Sequence, residues 1–310
     1  MKKSLAFLTL LLIAVQFVCA QVTNEERAAL LDLYENTEGE QWLKPWNPEL
    51  PVSKWHGVTV EDGHVVELNL FRNNLDGYLP KTIGQLAHLR VLNLAFNKLT
   101  GVLPKEIAGM ERLEVLKLEM NRLKGEIPQE LGSMTSLLEL TAFNNFFSGS
   151  IPESLGALEN LRILNLSSNS LRGEIPVALG NLKRLETLGL FENGLEGNIP
   201  SEMGNLVMLK ELVLANNQLG GEIPREFSQL ASLEVFQIQH NKFDSYKNLE
   251  MMNTEQFLVF DYDKKDINLK FKDIDFQRTR MAETMFEDDD VVEEEDPKKK
   301  KKDKKKNDNE

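Results

Sequence analysis

The side chains that acid–base, nucleophilic or metal chemistry requires are present in this sequence but sparse. Glu119 and Glu139 form an acidic pair, and two carboxyl groups held a few ångströms apart can divide the roles of acid and base, as in glycoside hydrolysis. Nothing around them supplies a substrate cleft, and single acidic residues on a strand face are ordinarily solvated. Four histidines, His56, His64, His88 and His240, are scattered along the chain without a paired-ligand spacing. The single cysteine, Cys19, closes an apolar N-terminal run, and there is no glycine-rich phosphate loop. These residues predict a protein that is not an enzyme, with no metal site and no cofactor.

The elements that would have to position such groups are set by a repeat. Between residues 65 and 243 one pattern is written eight times at a spacing of 24 residues. Its clearest copy begins Leu161-Arg162-Ile163-Leu164-Asn165-Leu166 and continues through Asn169, Leu171, Gly173, Ile175 and Pro176. The slot of Leu164 is filled by Leu68, Leu92, Leu116, Leu140, Leu188, Leu212 and Phe236. The slot of Asn169 is filled by Asn73, Asn97, Asn121, Asn145, Asn193, Asn217 and Asn241.

Each coil follows from its residues. Alternation at Leu164-Asn165-Leu166 puts the leucines on one face of a short strand and Asn165 on the other. Eight such strands stacked in parallel at about 4.8 Å make a sheet roughly 35 to 40 Å long. The framework leucines point inward, where burial contributes about 1.5 to 3 kcal/mol per large side chain. Asn169 ends the strand, and its amide is placed to satisfy backbone groups of the turn. Gly173 permits the turn that follows, and Pro176 starts the return segment in an extended conformation. A short helical or 3₁₀ turn such as 177–180 then covers the outer side. In the eighth copy Ser245, Lys247 and Asn248 replace Gly, Ile and Pro, so the repeat is expected to end there.

The consensus NxLxGxIPxxLGxLxxLxxL resembles the plant-type leucine-rich repeat, found in the ectodomains of plant receptor kinases, in polygalacturonase-inhibiting proteins and in exported proteins of bacteria and algae. Leu30-Leu31-Asp32-Leu33-Tyr34, with Thr37, Gly39 and Trp42 and then Trp55-His56-Gly57-Val58-Thr59, is similar to the cap that precedes such repeats. The resemblance implies an α/β solenoid, a leucine-rich-repeat superhelix with a parallel β-sheet on its concave side and short helical or 3₁₀ turns on its convex side. Plant caps carry paired cysteines, which this cap lacks, and no kinase domain follows. The implied branch is therefore the bacterial or algal exported one.

Charge and the chain ends narrow the class further. With 49 acidic and 36 basic side chains the formal charge is -13, which argues against a nucleic-acid surface. Residues 1–20 read as a signal peptide: Lys2 and Lys3, an apolar run over 5–18, and Val18-Cys19-Ala20 before Gln21. The run is too short for a membrane-spanning helix, and Cys19 either leaves with the signal or carries a lipid anchor. The expected location is exported: secreted, periplasmic or at the cell surface.

Residues 21–64 are expected to form the N-terminal cap. A helix over 24–38 is capped by Asn24, and strands over 55–60 and 65–68 flank Asp62-Gly63. Trp42, Trp46 and Trp55 are expected to plug the open end of the core, the alternative being a sugar-stacking platform. Residues 244–286 are expected to close the far end. There Phe257 and Phe260 keep the repeat phase, and Ile267, Leu269 and Phe271 alternate as a half-buried strand. Residues 287–310, acidic then lysine-rich, are expected to be disordered.

Function is expected on the concave face, at the variable positions within and just after each strand. Phe71, Phe96, Met120, Phe143 and Phe191 form a broken apolar lane there. Arg72, Lys117, Glu119, Asn144, Glu192 and His240 are the polar candidates beside it. In the fourth coil Ala142 stands where other coils carry Leu or Ile, and a neighbouring phenylalanine, from Phe143, Phe146 and Phe147, is expected to fill the gap. The predicted function is recognition of an extracellular protein or peptide by a monomer. Glycan binding or adhesion is the alternative.

Overall fold

The computed structural model describes residues 22–253 and 256–263. The predicted signal peptide, the strand around Ile267, Leu269 and Phe271, and the charged tail lie outside the described residues.

Helix α1 (Asn24–Asn36) opens the chain, and its cap is Thr23 rather than Asn24. Thr23 has an extended backbone, and its hydroxyl accepts from the Glu26 amide at 3.1 Å. The helix ends two residues before its predicted end, where the Thr37 hydroxyl donates to the Leu33 carbonyl at 2.7 Å and Glu38 takes a left-handed φ of 53°. Trp42 and Trp46 pack against Tyr34 near its end, Trp55 lies behind Trp46, and all three are buried. Trp46 stacks on Tyr34 at 5.8 Å and on Trp55 at 4.7 Å, while its Nε1 donates to the His56 carbonyl at 2.8 Å. Every indole N–H is paired to backbone, as burial demands. The tryptophans close the core and offer no platform to a sugar.

Strands β1 (Val58–Glu61) and β2 (His64–Asn69) form the hairpin, with Glu61 opposite His64. Asp62 and Gly63 both have positive φ, 50° and 80°, the geometry that a two-residue turn between right-twisted strands needs.

Strand β2 is also the first rung of the solenoid. After it come β4 (Val91–Asn93), β6 (Val115–Lys117), β8 (Glu139–Thr141), β10 (Ile163–Asn165), β12 (Thr187–Gly189), β14 (Glu211–Val213) and β16 (Val235–Gln237), and last β17 (Val259–Asp261). With β1 antiparallel at its edge, this is a ten-stranded sheet whose other neighbours are all parallel. Framework residues face each other one repeat apart: Leu68 opposite Leu92, Leu164 opposite Leu188, Phe236 opposite Phe260. Strand β17 therefore extends the sheet by a coil beyond the eight read from the pattern. The eighth coil also keeps its outer 3₁₀ turn, Lys247–Met251, despite losing the Gly-x-Ile-Pro unit. Just before it, Phe243, in the framework slot of Leu171, packs edge to face on Tyr246, and both are buried.

A second sheet was not anticipated. It is built by β3 (Asp76–Tyr78), β5 (Lys98–Gly101), β7 (Arg122–Glu126), β9 (Phe146–Gly149), β11 (Ser170–Gly173), β13 (Gly194–Asn198) and β15 (Gln218–Gly220), in chain order and parallel. Its register is two residues short of the repeat: Lys98 faces Asp76, and Leu171 faces Gly149. Gly173, at φ 80°, ends β11 rather than lying in an unpaired turn. On the outer side each proline from Pro80 to Pro224 leads a five-residue 3₁₀ turn, such as Val177–Asn181.

The recurrent asparagine joins the coils. Asn97 donates from Nδ2 to the carbonyls of Leu94 in its own coil and Leu70 in the coil before, both at 2.9 Å, and its Oδ1 accepts from the Leu75 amide at 3.0 Å. The same three bonds recur at Asn121, Asn145, Asn169, Asn193, Asn217 and Asn241 one coil further on each time. In the fourth coil the phenylalanine that enters the core is Phe147, in the slot of Leu171, while Phe146 is exposed. Ala142 and Phe147 both belong to the core, so one framework slot shrinks as another grows, roughly conserving volume.

Candidate recognition face

The positions just after each strand form two columns, not one lane. The first column holds Phe71, Glu119, Phe143 and Phe191. The second holds Arg72, Phe96, Met120, Asn144, Glu192 and His240, all with φ between 48° and 57°. This left-handed turn is built into every coil and closed by a bond to the next one: the Phe96 amide donates to the Glu119 carbonyl at 2.9 Å, and the Met120 amide to the Phe143 carbonyl at 3.0 Å. For a Phe or Met it is an uncomfortable conformation, so the ladder, and not local preference, holds these side chains out.

The columns meet at one place on the N-terminal half. Phe71 and Phe96 pack edge to face, with centroids 5.2 Å apart and planes at 61°, yet they remain 48% and 42% exposed. Phe143, Phe191 and Met120 are half-buried, so the apolar lane is broken toward the C-terminal half.

The polar candidates divide likewise. Arg72, Asn144, Glu192 and His240 are exposed. Glu192 accepts from the Ser168 hydroxyl at 2.9 Å, and His240 Nδ1 lies 2.7 Å from Asn216 Oδ1. Lys117 pairs with Glu139 at 2.9 Å on adjacent strands. Glu119, expected to be an outward contact, is buried at 9% exposure and accepts from the Thr141 hydroxyl at 2.6 Å. Burial holds its carboxyl above the ordinary range, against the opposing pull of the Thr141 bond and of Lys117. The acidic pair of the sequence is thus one carboxylate held by a lysine and one sunk between coils. Nor are all four histidines scattered: His64 and His88 stand one repeat apart and stack at 3.6 Å, while His240 lies apart beside Asn216. Their common phase was the available signal.

Stacked coils with two parallel sheets, an asparagine ladder and outer 3₁₀ turns define the class of protein, an α/β solenoid. The chain carries leucine-rich repeats of the plant type. The family model described as leucine-rich repeat region matches residues 67–172, and the Leucine Rich Repeat model matches 208–230. Among solved structures, the ectodomain of the receptor kinase GASSHO1/SCHENGEN3 from Arabidopsis thaliana, in complex with Casparian strip integrity factor 2, is 34% identical with a TM-score of 0.72, over 76% of this chain and 29% of that one. The Arabidopsis HAESA ectodomain, in complex with an N-terminally extended IDA peptide hormone, is 28% identical with a TM-score of 0.59, over 77% of this chain and 45% of that one. A leucine-rich-repeat protein of Leptospira interrogans is 34% identical with a TM-score of 0.53, over 63% of this chain and 47% of that one. The chain spans less than half the length of each of these. The comparison with curated proteins finds no match. Among the described residues no helix is long and apolar enough to cross a membrane.

Proposed function

We propose that this is an exported, non-catalytic recognition protein that binds a protein or peptide partner along its concave face. The observation that carries the reading is the Phe71–Phe96 pair, a preformed aromatic surface left open to solvent where the two columns meet. Rigid, exposed aromatics at the centre of a contact surface are the residues on which binding energy concentrates. The likeness to HAESA, solved with a peptide hormone, supports a peptide as the kind of ligand. Arg72 and Met120 flank the pair, and Lys117, Phe143, Asn144, Phe191, Glu192 and His240 extend the surface along the sheet. On this reading residues 1–20 direct export, 21–64 and 244–286 cap the repeats of 65–243, and 287–310 form a charged tail. Burial of all three tryptophans removes one sugar-stacking surface, while the exposed Phe71 and Phe96 rings keep glycan binding or adhesion as the second reading.

The test is capture from extracellular medium and surface extract on the immobilised protein, beside a variant carrying Phe71→Ala and Phe96→Ala with an unchanged melting temperature. A protein or peptide held by the first and lost by the second supports the reading. Equal retention by both moves the site off this face, and no retention by either removes recognition as the function.

A further inference from the structure

Away from the concave face, Glu26 of α1, His64 at the start of β2 and His88 ahead of β4 converge. One ligand atom from each lies within 4.8 Å of the others. His64 Nδ1 is 3.3 Å and His88 Nδ1 3.8 Å from the same carboxylate oxygen, Glu26 Oε1. The imidazoles stack at 19°. Glu26 is 3% exposed, and its second oxygen, Oε2, is buried without a hydrogen-bond partner among the described residues.

We propose that Glu26, His64 and His88 bind a divalent transition-metal ion of the zinc type, with three protein ligands and a fourth position open to water. Two imidazoles and a carboxylate are a recurrent donor set for zinc with an open position. Bonds of about 2.0 to 2.2 Å around a tetrahedral ion set donors roughly 3.4 Å apart, close to the 3.3 and 3.8 Å found here, and a turn of the stacked rings would bring both imidazole lone pairs onto the ion. The motive is electrostatic. A buried carboxylate with an orphan oxygen needs positive charge close by. An ion held between the carboxylate and the two imidazoles would supply it, since the neutral imidazole is a metal ligand. Arg112, next in the same repeat column, is exposed and adds an unfavourable charge nearby. Both histidine side chains are 33% exposed, which leaves an approach from solvent.

The ion would join three segments far apart in sequence: the first turn of the helix, the hairpin and the following coil. Residues 22–88 contain no cysteine, so the metal would do for this cap what a cross-link does elsewhere.

The purified full chain, stripped with a chelator, is titrated with zinc by calorimetry and with cobalt(II) by visible absorption. One equivalent of zinc is expected to bind, with cobalt absorption of tetrahedral intensity and a melting temperature that rises with zinc and falls back with chelator. His88→Asn and Glu26→Gln are each expected to weaken zinc binding by at least about tenfold, the least that loss of a ligand should cost when second-shell partners alone are worth that much. His240→Asn is expected to leave binding unchanged. His88 is partly exposed, so its variant is expected to keep the fold, checked by its metal-free circular dichroism, and it decides the matter if Glu26→Gln unfolds. No zinc binding at micromolar concentration, or binding of equal affinity in the His88 variant, would overturn the assignment.

Discussion

Phe71 and Phe96, from neighbouring coils, hold each other edge to face at 5.2 Å while each keeps more than two fifths of its surface in water. An aromatic pair of this geometry gains about 0.5 to 1.5 kcal/mol beyond burial, which fixes both rings in advance of any partner. Surface that is rigid, apolar and still exposed loses little entropy on binding.

Replacing both rings is therefore expected to separate binding from folding. Phe71→Ala with Phe96→Ala should cost at least about 2 kcal/mol of partner affinity, the range of interface hot spots. The fall in stability should stay near the value of the aromatic pair, about 0.5 to 1.5 kcal/mol. Calorimetry against the captured partner and urea unfolding would measure the two. A stability loss of core size, with affinity per folded molecule intact, would assign the rings to packing.

A sharper probe is Phe96→Asn. Phe96 has φ 57°, a region costing most side chains about 1 to 2 kcal/mol but comfortable for asparagine. Relief of that strain should offset the lost ring contact, leaving the urea midpoint close to wild type while affinity drops. Phe147→Ala, at a core position 1% exposed, should by contrast cost about 3 to 5 kcal/mol.

The buried carboxyl of Glu119 makes stability depend on pH. Burial raises its pKa in the folded chain above the ordinary 4.5. The folded state then holds its proton to higher pH than the unfolded state does, so stability falls as pH rises through the window above 4.5. Glu119→Gln keeps an acceptor for the Thr141 hydroxyl and removes the charge. It should raise the melting temperature at pH 7, with the advantage vanishing once pH is below 4.5. A variant that melts lower at pH 7 and shows the wild-type pH profile would refute this account.

The ladder should be intolerant of truncation. Asn97→Ala orphans the Asn73 and Leu75 amides and removes a donor from the Leu70 and Leu94 carbonyls. Each unsatisfied buried group costs about 1 to 3 kcal/mol, so a loss of at least about 3 kcal/mol is expected in urea unfolding. A loss under about 1 kcal/mol would mean that water replaces the amide.

Period and residue type by themselves determined the stacking of coils, the inward leucines, the asparagine ladder, the outer 3₁₀ turns and the tryptophan plug. Apart from the plug, which the three clustered tryptophans of the cap announce, each of these is a local conformation copied every 24 residues, so one coil such as 161–184 contains the information for all of them. Only the tertiary structure decided the rest. The second sheet depends on a register two residues off the repeat, which no single coil encodes. Thr23 displaced Asn24 as the cap because the chain enters the helix one residue earlier than composition suggested. Glu119 and Phe71 occupy the same column, yet Glu119 is buried and bonded to Thr141 of the next coil while Phe71 is exposed against Phe96, a difference that no single coil encodes. Glu26, His64 and His88 converge because a helix from outside the repeat packs beside two residues in phase within it. Translation along the chain specifies which residues are equivalent, while contacts between the repeat and its non-repeating cap arise only once both have folded.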